Sequence, residues 1–584
     1  MNSFLKSFLA CLLALFLFSI LVLFVAMGFV SGLATREKEK TGAKAVLVVD
    51  LSVAYPEIRV DNSLGTLTGG DRYDIPSLYD VVRMIRYAKT DSSVKGIYIK
   101  CGVNNNGFAN SDEIRNAILD FKKSGKFVFA YADVITQGGY YVANAADKLY
   151  CNPKGGVDWR GYALQLAFVK GLLQKLEIEP QIFYAGQFKS ATEPFRETEM
   201  SEPNRVQMQE LIDDLYAQFL LHTAAARNID TATLHKLANE QTVQFASDAL
   251  RHGLVDGLKY DDEVKDEIKA RLGVGKYEAI NFVSLGKYSM AVPFRQKGRE
   301  KIAVIYAQGD IIDGKGEREV IGGDTYRALV RKARLDNDIK AIVVRINSGG
   351  GSALASENIW REISLARKEK PVVVSFGDVA ASGGYYFAVD ADSIFATPNT
   401  ITGSIGVFTI IPNMQKFFNN KLGITFDQVT TGSEANLYTT TKPLTPTQRR
   451  FIQSGVDSTY EEFKQRVANG RGMSLSYVDS IGQGRVWSGG RALQLGLVDR
   501  MGGIDDAIEC AARLAKVNDY KLVELPEPRS LIELLFGTYK EDARRSILQQ
   551  EFGEEGLRTY TTIKRAKEII GVRQARLPFD FTIE

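Results

Sequence analysis

Residues 133–150 read DVITQGGYYVANAADKLY, and residues 378–395 read DVAASGGYYFAVDADSIF. Nine of these 18 positions are identical, without a gap, at an offset of 245. The likeness continues on both sides. VKGIYIK (94–100) matches IKAIVVR (339–345), KLEIEPQIFYAGQFKSA (175–191) matches KLGITFDQVTTGSEANL (421–437), and ALRHGLVDGL (249–258) matches ALQLGLVDRM (492–501). Solenoid units run to only about 20–50 residues, so this period specifies two homologous domains instead. They are expected at 44–290 and 300–525, each long enough for its own core. Residues 1–43 precede them. Residues 526–584 follow, rich in Glu, Lys, Arg and Leu, and are expected to be a charged helical tail.

Each repeat reads as α/β. AIVVRI (341–346) and PVVVSF (371–376) are the apolar, β-branched runs that a buried parallel strand needs. Between them, SENIWREISLARKEK (356–370) has helical periodicity and a basic end. Repeat one carries the same order as GIYIK, SDEIRNAILDFKKSGK and FVFAYAD. Gly-rich turns, NSGGGS (347–352) and AASGGYY (380–386), follow the strands of repeat two. Turns at strand C-terminal ends are where open α/β sheets place their sites. The counterpart of NSGGGS in repeat one is GVNNNG (102–107), which keeps few of the glycines.

The copies differ where chemistry would be. Ser382 precedes Gly-Gly in repeat two, and Gln137 stands there in repeat one. A serine at a strand-to-helix turn exposes its hydroxyl, and the amides behind it point from a helix N-terminus where an oxyanion can be held. A helix N-cap serine fits the same local sequence. A nucleophilic hydroxyl needs a base. The three histidines, His222, His235 and His252, all lie in repeat one, in helical stretches away from the Gly-rich turns, and read as structural or surface residues. A lysine serves instead if burial keeps it neutral, since desolvation lowers its pKa. Repeat one has such a lysine in YAGQFKSATEPF: Lys189 aligns with Ala435, while Gly186 and Gly432 are shared. Serine is missing from one repeat and lysine from the other, which points to one composite site. Taken alone, Lys189 also fits a solvated surface residue.

At these motifs (YAGQFKSATEPF, INSGGGS, DVAASGGYY and TGSIGV) the chain resembles the signal peptide peptidase A, or protease IV, family in its long, duplicated form. The likeness runs over nearly the whole chain. It implies Ser382 as nucleophile and Lys189 as general base, with Gly383, Gly350 and Gly351 supplying oxyanion amides. It implies the βα spiral of Clp-protease and crotonase relatives, a bowl-shaped homotetramer, and an inner-membrane location with the body on the periplasmic side. The implied activity is a serine endopeptidase that degrades cleaved signal peptides and other short apolar peptides, without metal or cofactor. One position departs: many relatives have proline where Gly349 stands, and its absence adds conformational freedom to that turn. TGSIGV (402–407) fits a substrate-pairing strand and equally a buried strand with a tight turn. Two other classes share parts of this pattern: a crotonase-type acyl-CoA enzyme and a non-catalytic membrane scaffold.

No charge occurs between Lys6 and Arg36, and FLACLLALFLFSILVLFVAMGFV fills most of the gap. That run exceeds the ~20 residues of a bilayer span and the usual h-region of a cleaved signal. A single N-terminal transmembrane anchor is expected, in contact with the lipid bilayer, with a cleaved leader as the alternative. A strict Lys/Arg count would leave the body in the cytoplasm, against the periplasmic side that the resemblance implies. The net charge of +3 gives no ground for a nucleic-acid partner. Cys11, Cys101, Cys151 and Cys510 show no CxxC and no metal spacing, and a disulfide among the last three stays open.

Overall fold

A computed structural model describes residues 7–8, 10–21, 39–60, 73–316, 320–527 and 571–577. Strands of repeat one are β1 (Ala45–Asp50), β2 (Val94–Lys100), β3 (Phe127–Ile135), β4 (Lys148–Val157), β5 (Glu179–Ala185), β6 (Gly257–Leu258) and β7 (Phe282–Ser284). All but β5 form one parallel sheet in the order β6-β4-β3-β2-β1-β7. The apolar runs make its centre: Val46, Leu47, Ile97, Ile99, Val128 and Ala130 are fully buried. Such runs suit strands covered on both faces, as parallel sheets are.

The second repeat continues with β8 (Glu300–Gln308), β9 (Asp310–Ile312), β10 (Val320–Gly322), β11 (Ile339–Ser348), β12 (Gly350–Ser352), β13 (Val372–Ala381), β14 (Ser393–Ala396), β15 (Ile401–Gly403), β16 (Val407–Asn413), β17 (Val486–Ser488), β18 (Arg500–Met501) and β19 (Tyr520–Leu525). Its main sheet runs β17-β15-β13-β11-β8-β19, with β14 beside β13 and β18 beside β14. The duplication holds down to single hydrogen bonds. The helices Phe108–Lys122 and Ala353–Arg367 are offset by 245 at both ends. Tyr140 Oη donates to the Leu254 carbonyl as Tyr385 Oη does to that of Leu497. Asp147 accepts from the Val128 amide as Asp392 does from that of Val372.

A third sheet joins the repeats. Its order is β10-β9-β12-β20-β16-β5, where β20 is Gln574–Arg576. Strand β5 of repeat one pairs antiparallel with β16 of repeat two over seven positions, from Val407↔Ala185 to Asn413↔Glu179. The segment matching β5 in repeat two, 425–431, forms no strand and is exposed. Its counterpart partner, residues 162–168, takes no place in a named strand and alternates between half-buried and exposed positions. Equivalent positions of the two repeats therefore have unequal fates, and the one that forms a strand is the one whose partner edge completes its hydrogen bonds.

A buried ionic cluster also joins the repeats. Arg345 on β11 is fully enclosed and pairs with Glu57 (Nε to Oε2, 3.0 Å) and Glu113 (Nη2 to Oε1, 2.6 Å) of repeat one. Asp378 accepts from the Asn110 amide at 2.9 Å, and the turn at Gly107 leaves no room for a side chain against that carboxylate.

Two expectations fall mostly outside the described residues. Of the tail expected to be helical, residues 574–576 form β20, because a strand edge of the third sheet takes them up; residues 528–570 and 578–584 lie outside the described residues. The expected anchor is helical at 7–8 and 10–21, and its remainder lies outside the described residues. Among the described residues, no helix is long and apolar enough to cross a membrane. Cys11, Cys101, Cys151 and Cys510 are all free thiols.

Candidate active site

Ser382 lies between β13 and the short helix Gly383–Tyr386, at φ +52° and ψ −114°. Few non-glycine residues adopt positive φ, and holding one there costs of order 1–3 kcal/mol. The strain is held by a hydrogen bond that the Ser382 amide donates to the Gly403 carbonyl (2.8 Å). Gln137 is not strained in this way. It begins an ordinary helix capped by Thr136, whose hydroxyl accepts from the Gly139 amide. The Gln137 side chain ties down the next loop, donating to the Gly161 carbonyl (2.8 Å) and accepting from the Arg160 and Gly161 amides. One scaffold position thus holds a strained hydroxyl in repeat two and a loop staple in repeat one.

Lys189 follows β5 through a tight turn at Gly186, whose φ is +102°. Pairing of β5 with β16 carries that turn into repeat two. There the lysine stem passes Gly406 and Gly484, where added Cβ atoms would come within 3.1 Å of Lys189 Cδ and 2.6 Å of Lys189 Cβ. The side chain is 1% exposed and Ser382 is 0% exposed. Lys189 Nζ lies 2.9 Å from Ser382 Oγ, 2.9 Å from Ser404 Oγ and 3.1 Å from the Ser404 carbonyl. Burial holds the amine well below the ordinary lysine range.

The glycine turns converge on the same point. Gly350 has φ +100°, and a Cβ there would come 2.8 Å from the Gly383 nitrogen. The Gly350 amide donates to Ser348 Oγ at 3.1 Å, so of the three expected oxyanion glycines it is already partnered. Gly351 pairs with Ile311 of β9 and Ala575 of β20. TGSIGV supplies both a tight turn and strand edges: β15 ends at Gly403, Ser404 has φ +53°, and β16 begins at Val407.

The histidines lie elsewhere. The His222 ring packs on Tyr141, and burial first, then Arg115, lowers its pKa to about 4. His235 is hydrogen-bonded to Asn239, and His252 caps the helix Ala246–Arg251. The motif TGSIGV does not by itself mark the Ser404 hydroxyl, and nothing in the sequence marks Arg345 or the strand β20. For Ser404 the signal was a polar residue between two glycines after a short apolar strand.

The sequence profile of Peptidase family S49 matches this chain twice, over residues 120–275 and 364–518. Protease 4 of Salmonella typhi is 35% identical over 546 residues, covering 89% of this chain and 86% of that protein. Protease 4 of Haemophilus influenzae is 34% identical over 84% of this chain and 83% of its own length. A chloroplastic serine protease SPPA of Arabidopsis thaliana is 34% identical over 77% of this chain and 68% of its own length.

Proposed function

The chain belongs to Peptidase family S49 and is a serine peptidase, and from that premise we propose that Lys189 is the general base for a Ser382 nucleophile. The 2.9 Å contact between a buried amine and a buried hydroxyl, one from each repeat, carries this reading. A neutral amine has two N–H groups and one lone pair. The Ser404 carbonyl can only accept, so one N–H is committed to it. The other N–H suits Ser404 Oγ, which leaves the lone pair for the Ser382 hydroxyl proton. As Ser382 Oγ attacks a peptide carbonyl, its proton passes to Lys189 Nζ. The tetrahedral oxyanion is held by the Gly383 amide, and the Gly350 amide joins it only by giving up its bond to Ser348 Oγ. The ammonium returns its proton to the leaving amine, and the neutral amine then activates water to release the acyl group. Strain at Ser382 serves this chemistry by fixing the hydroxyl toward the base rather than into a helix cap.

The apolar run 8–30 supports a membrane-anchored enzyme that acts on short apolar peptides near the bilayer, while signal peptides as substrates and a periplasmic body rest on the family resemblance. The tetramer implied by resemblance would be a homo-oligomer. The pairing of β5 with β16 has an unformed twin: residues 425–431, with Ile424, Phe426 and Val429 exposed beside them, and residues 162–168. Within one chain the twin is not made; a second copy supplies the missing edge. Fluorophosphonate labelling tests the catalytic reading. Ser382 should be the labelled residue in the native chain, and Lys189→Ala should abolish labelling; labelling that persists in Lys189→Ala overturns the dyad.

A further inference from the structure

The helix Glu202–Arg227 of repeat one lays one face against repeat two. Its Met208, Leu211 and Leu215 share an apolar cluster with Ala381, Ile401 and Val486. Beside them Gln207, Glu210 and Asp214 recur at helical spacing, and each meets the segment around β17. The Val486 amide donates to Gln207 Oε1 at 3.2 Å, Arg485 pairs with Glu210, and Asp214 accepts from Ser488 Oγ at 2.7 Å and from Arg491 Nε at 2.6 Å. Gln207 differs from the other two in reaching a second place. Its Nε2 donates to Ser190 Oγ at 2.9 Å and to the Phe188 carbonyl at 3.0 Å, on either side of Lys189.

Chemistry fixes the orientation of this amide. The Val486 N–H only donates and the Phe188 C=O only accepts, so the Gln207 oxygen faces β17 and its nitrogen faces the lysine turn. Asn204 Oδ1 also accepts from that nitrogen at 3.1 Å, and Asn204 is in turn held by Glu193 at 2.8 Å. Gln207, Asn204, Ser190 and Glu193 are all buried, so water does not replace a lost bond there. Both ends of the Gln207 amide lead to the dyad. Phe188 and Ser190 flank Lys189 directly. Val486 pairs with Gly403 in the β15–β17 ladder, and the Gly403 carbonyl accepts from the Ser382 amide at 2.8 Å.

We propose that Gln207 is a positioning residue for peptide hydrolysis, fixing the turn that carries Lys189 against the strands that carry Ser382. This rests on the Lys189–Ser382 reading given above. A lysine amine sits on a long flexible stem, so its place is defined only where its backbone is held. A catalytic group misplaced by about 1 Å can cost ~10²-fold in rate.

The test compares full-length wild type, Gln207→Met and Asp214→Ala. Gln207→Met keeps the length of the side chain and removes its hydrogen bonds. Asp214→Ala removes a contact between the same helix face and the β17 segment without touching the lysine turn. Hydrolysis of a short apolar peptide is followed well below the melting temperatures, with active sites counted by fluorophosphonate labelling carried to completion. Gln207→Met should lower kcat per active site roughly 10–100-fold with KM nearly unchanged. The acidic limb of its kcat/KM profile should move to higher pH, because a looser turn lets water reach the amine. Asp214→Ala should lower the melting temperature and leave both the kcat per site and the limb as in wild type. Wild-type kcat per site in Gln207→Met, or an unmoved limb, or equal losses of kcat in both variants, overturns the proposal. If Gln207→Met does not fold, Gln207→Asn, whose amide is one methylene short of the turn, carries the same expectations. Lys189→Ala in the same assay judges the dyad separately. Retained hydrolysis there overturns the underlying reading, whereas an inactive Lys189→Ala beside an unaffected Gln207→Met overturns only the role of Gln207.

Discussion

Lys189 Nζ and Ser382 Oγ are 193 residues apart in sequence and 2.9 Å apart in space, both enclosed. Ser382→Ala and Lys189→Ala should each lower peptide hydrolysis by ~10³-fold or more while leaving the circular dichroism spectrum unchanged. Lys189→Arg should be as inactive, because a guanidinium keeps its proton at working pH. Both groups come from one chain, so mixing the two Ala variants before assembly should restore no activity. Recovery on mixing would place the site between chains.

Activity should rise with pH. The Lys189 amine must be neutral to act, and burial puts its pKa well below the ordinary lysine value. The rising limb of kcat/KM therefore belongs below the free-lysine value of ~10.4. The sign for stability follows. The unfolded chain binds the lysine proton more readily, so wild-type stability gains on Lys189→Met as pH rises from the folded-state pKa toward ~10.4. Melting temperatures of the two chains across pH read this; a constant difference contradicts it.

Ser404 presents both its hydroxyl and its carbonyl to Lys189. Ser404→Ala should lower kcat by roughly 10–100-fold, since the amine loses one of the groups that orient it. The same change removes an acceptor that favours the ammonium, so the acidic limb of the pH profile should move to lower pH. A fall in kcat with an unmoved limb would limit Ser404 to packing.

Arg345 is held between Glu57 and Glu113 at the junction of the repeats. Arg345→Leu leaves two buried carboxylates uncompensated, at a cost of about 3–5 kcal/mol, and should separate Lys189 from Ser382. Loss of both melting temperature and activity is expected, with partial recovery on adding Glu57→Gln and Glu113→Gln. Burial, against the pull of Arg345, raises the Glu113 pKa to about 7 from 4.5. The folded chain thus holds this proton more tightly than the unfolded one. Its contribution is full below 4.5 and is lost as pH rises toward 7, so the stability of Glu113→Gln relative to wild type should improve across that window.

Phe426 and Val429 are exposed in the segment that matches β5. If a second copy completes that edge, Phe426→Asp with Val429→Asp should shift full-length protein in mild detergent to smaller species in sedimentation. Lys189 and Ser382 meet within one chain, so part of the hydrolytic activity should survive. An unchanged sedimentation profile would move the interface elsewhere.

The βα order of each repeat was legible because buried parallel strands require continuous apolar runs, and VVVSF and AIVVRI are such runs. Ser382 stands out because the two copies differ there while their surroundings match, and Lys189 because its equivalent in the other copy, Ala435, carries no base. Nothing one-dimensional reported the strain at Ser382, since φ is set by what holds a turn on both sides, here the Gly403 carbonyl. Ser404 reads as one more small residue in a Gly-rich turn until β5–β16 pairing brings the lysine above it.

The repeat itself determined that this chain has two α/β halves and that Ser382 and Lys189 belong to different ones, because duplicated sequence imposes the same local hydrogen bonds and cores on each half. Only the tertiary structure decided which equivalent segments become strands. Segments 179–185 and 425–431 stand at equivalent positions of the repeat, yet the first pairs and the second stands exposed. Residues 574–576 look helix-prone and form a strand. A strand is stabilised by its partner edge rather than by its own residues, and where a free edge lies is a property of the folded molecule.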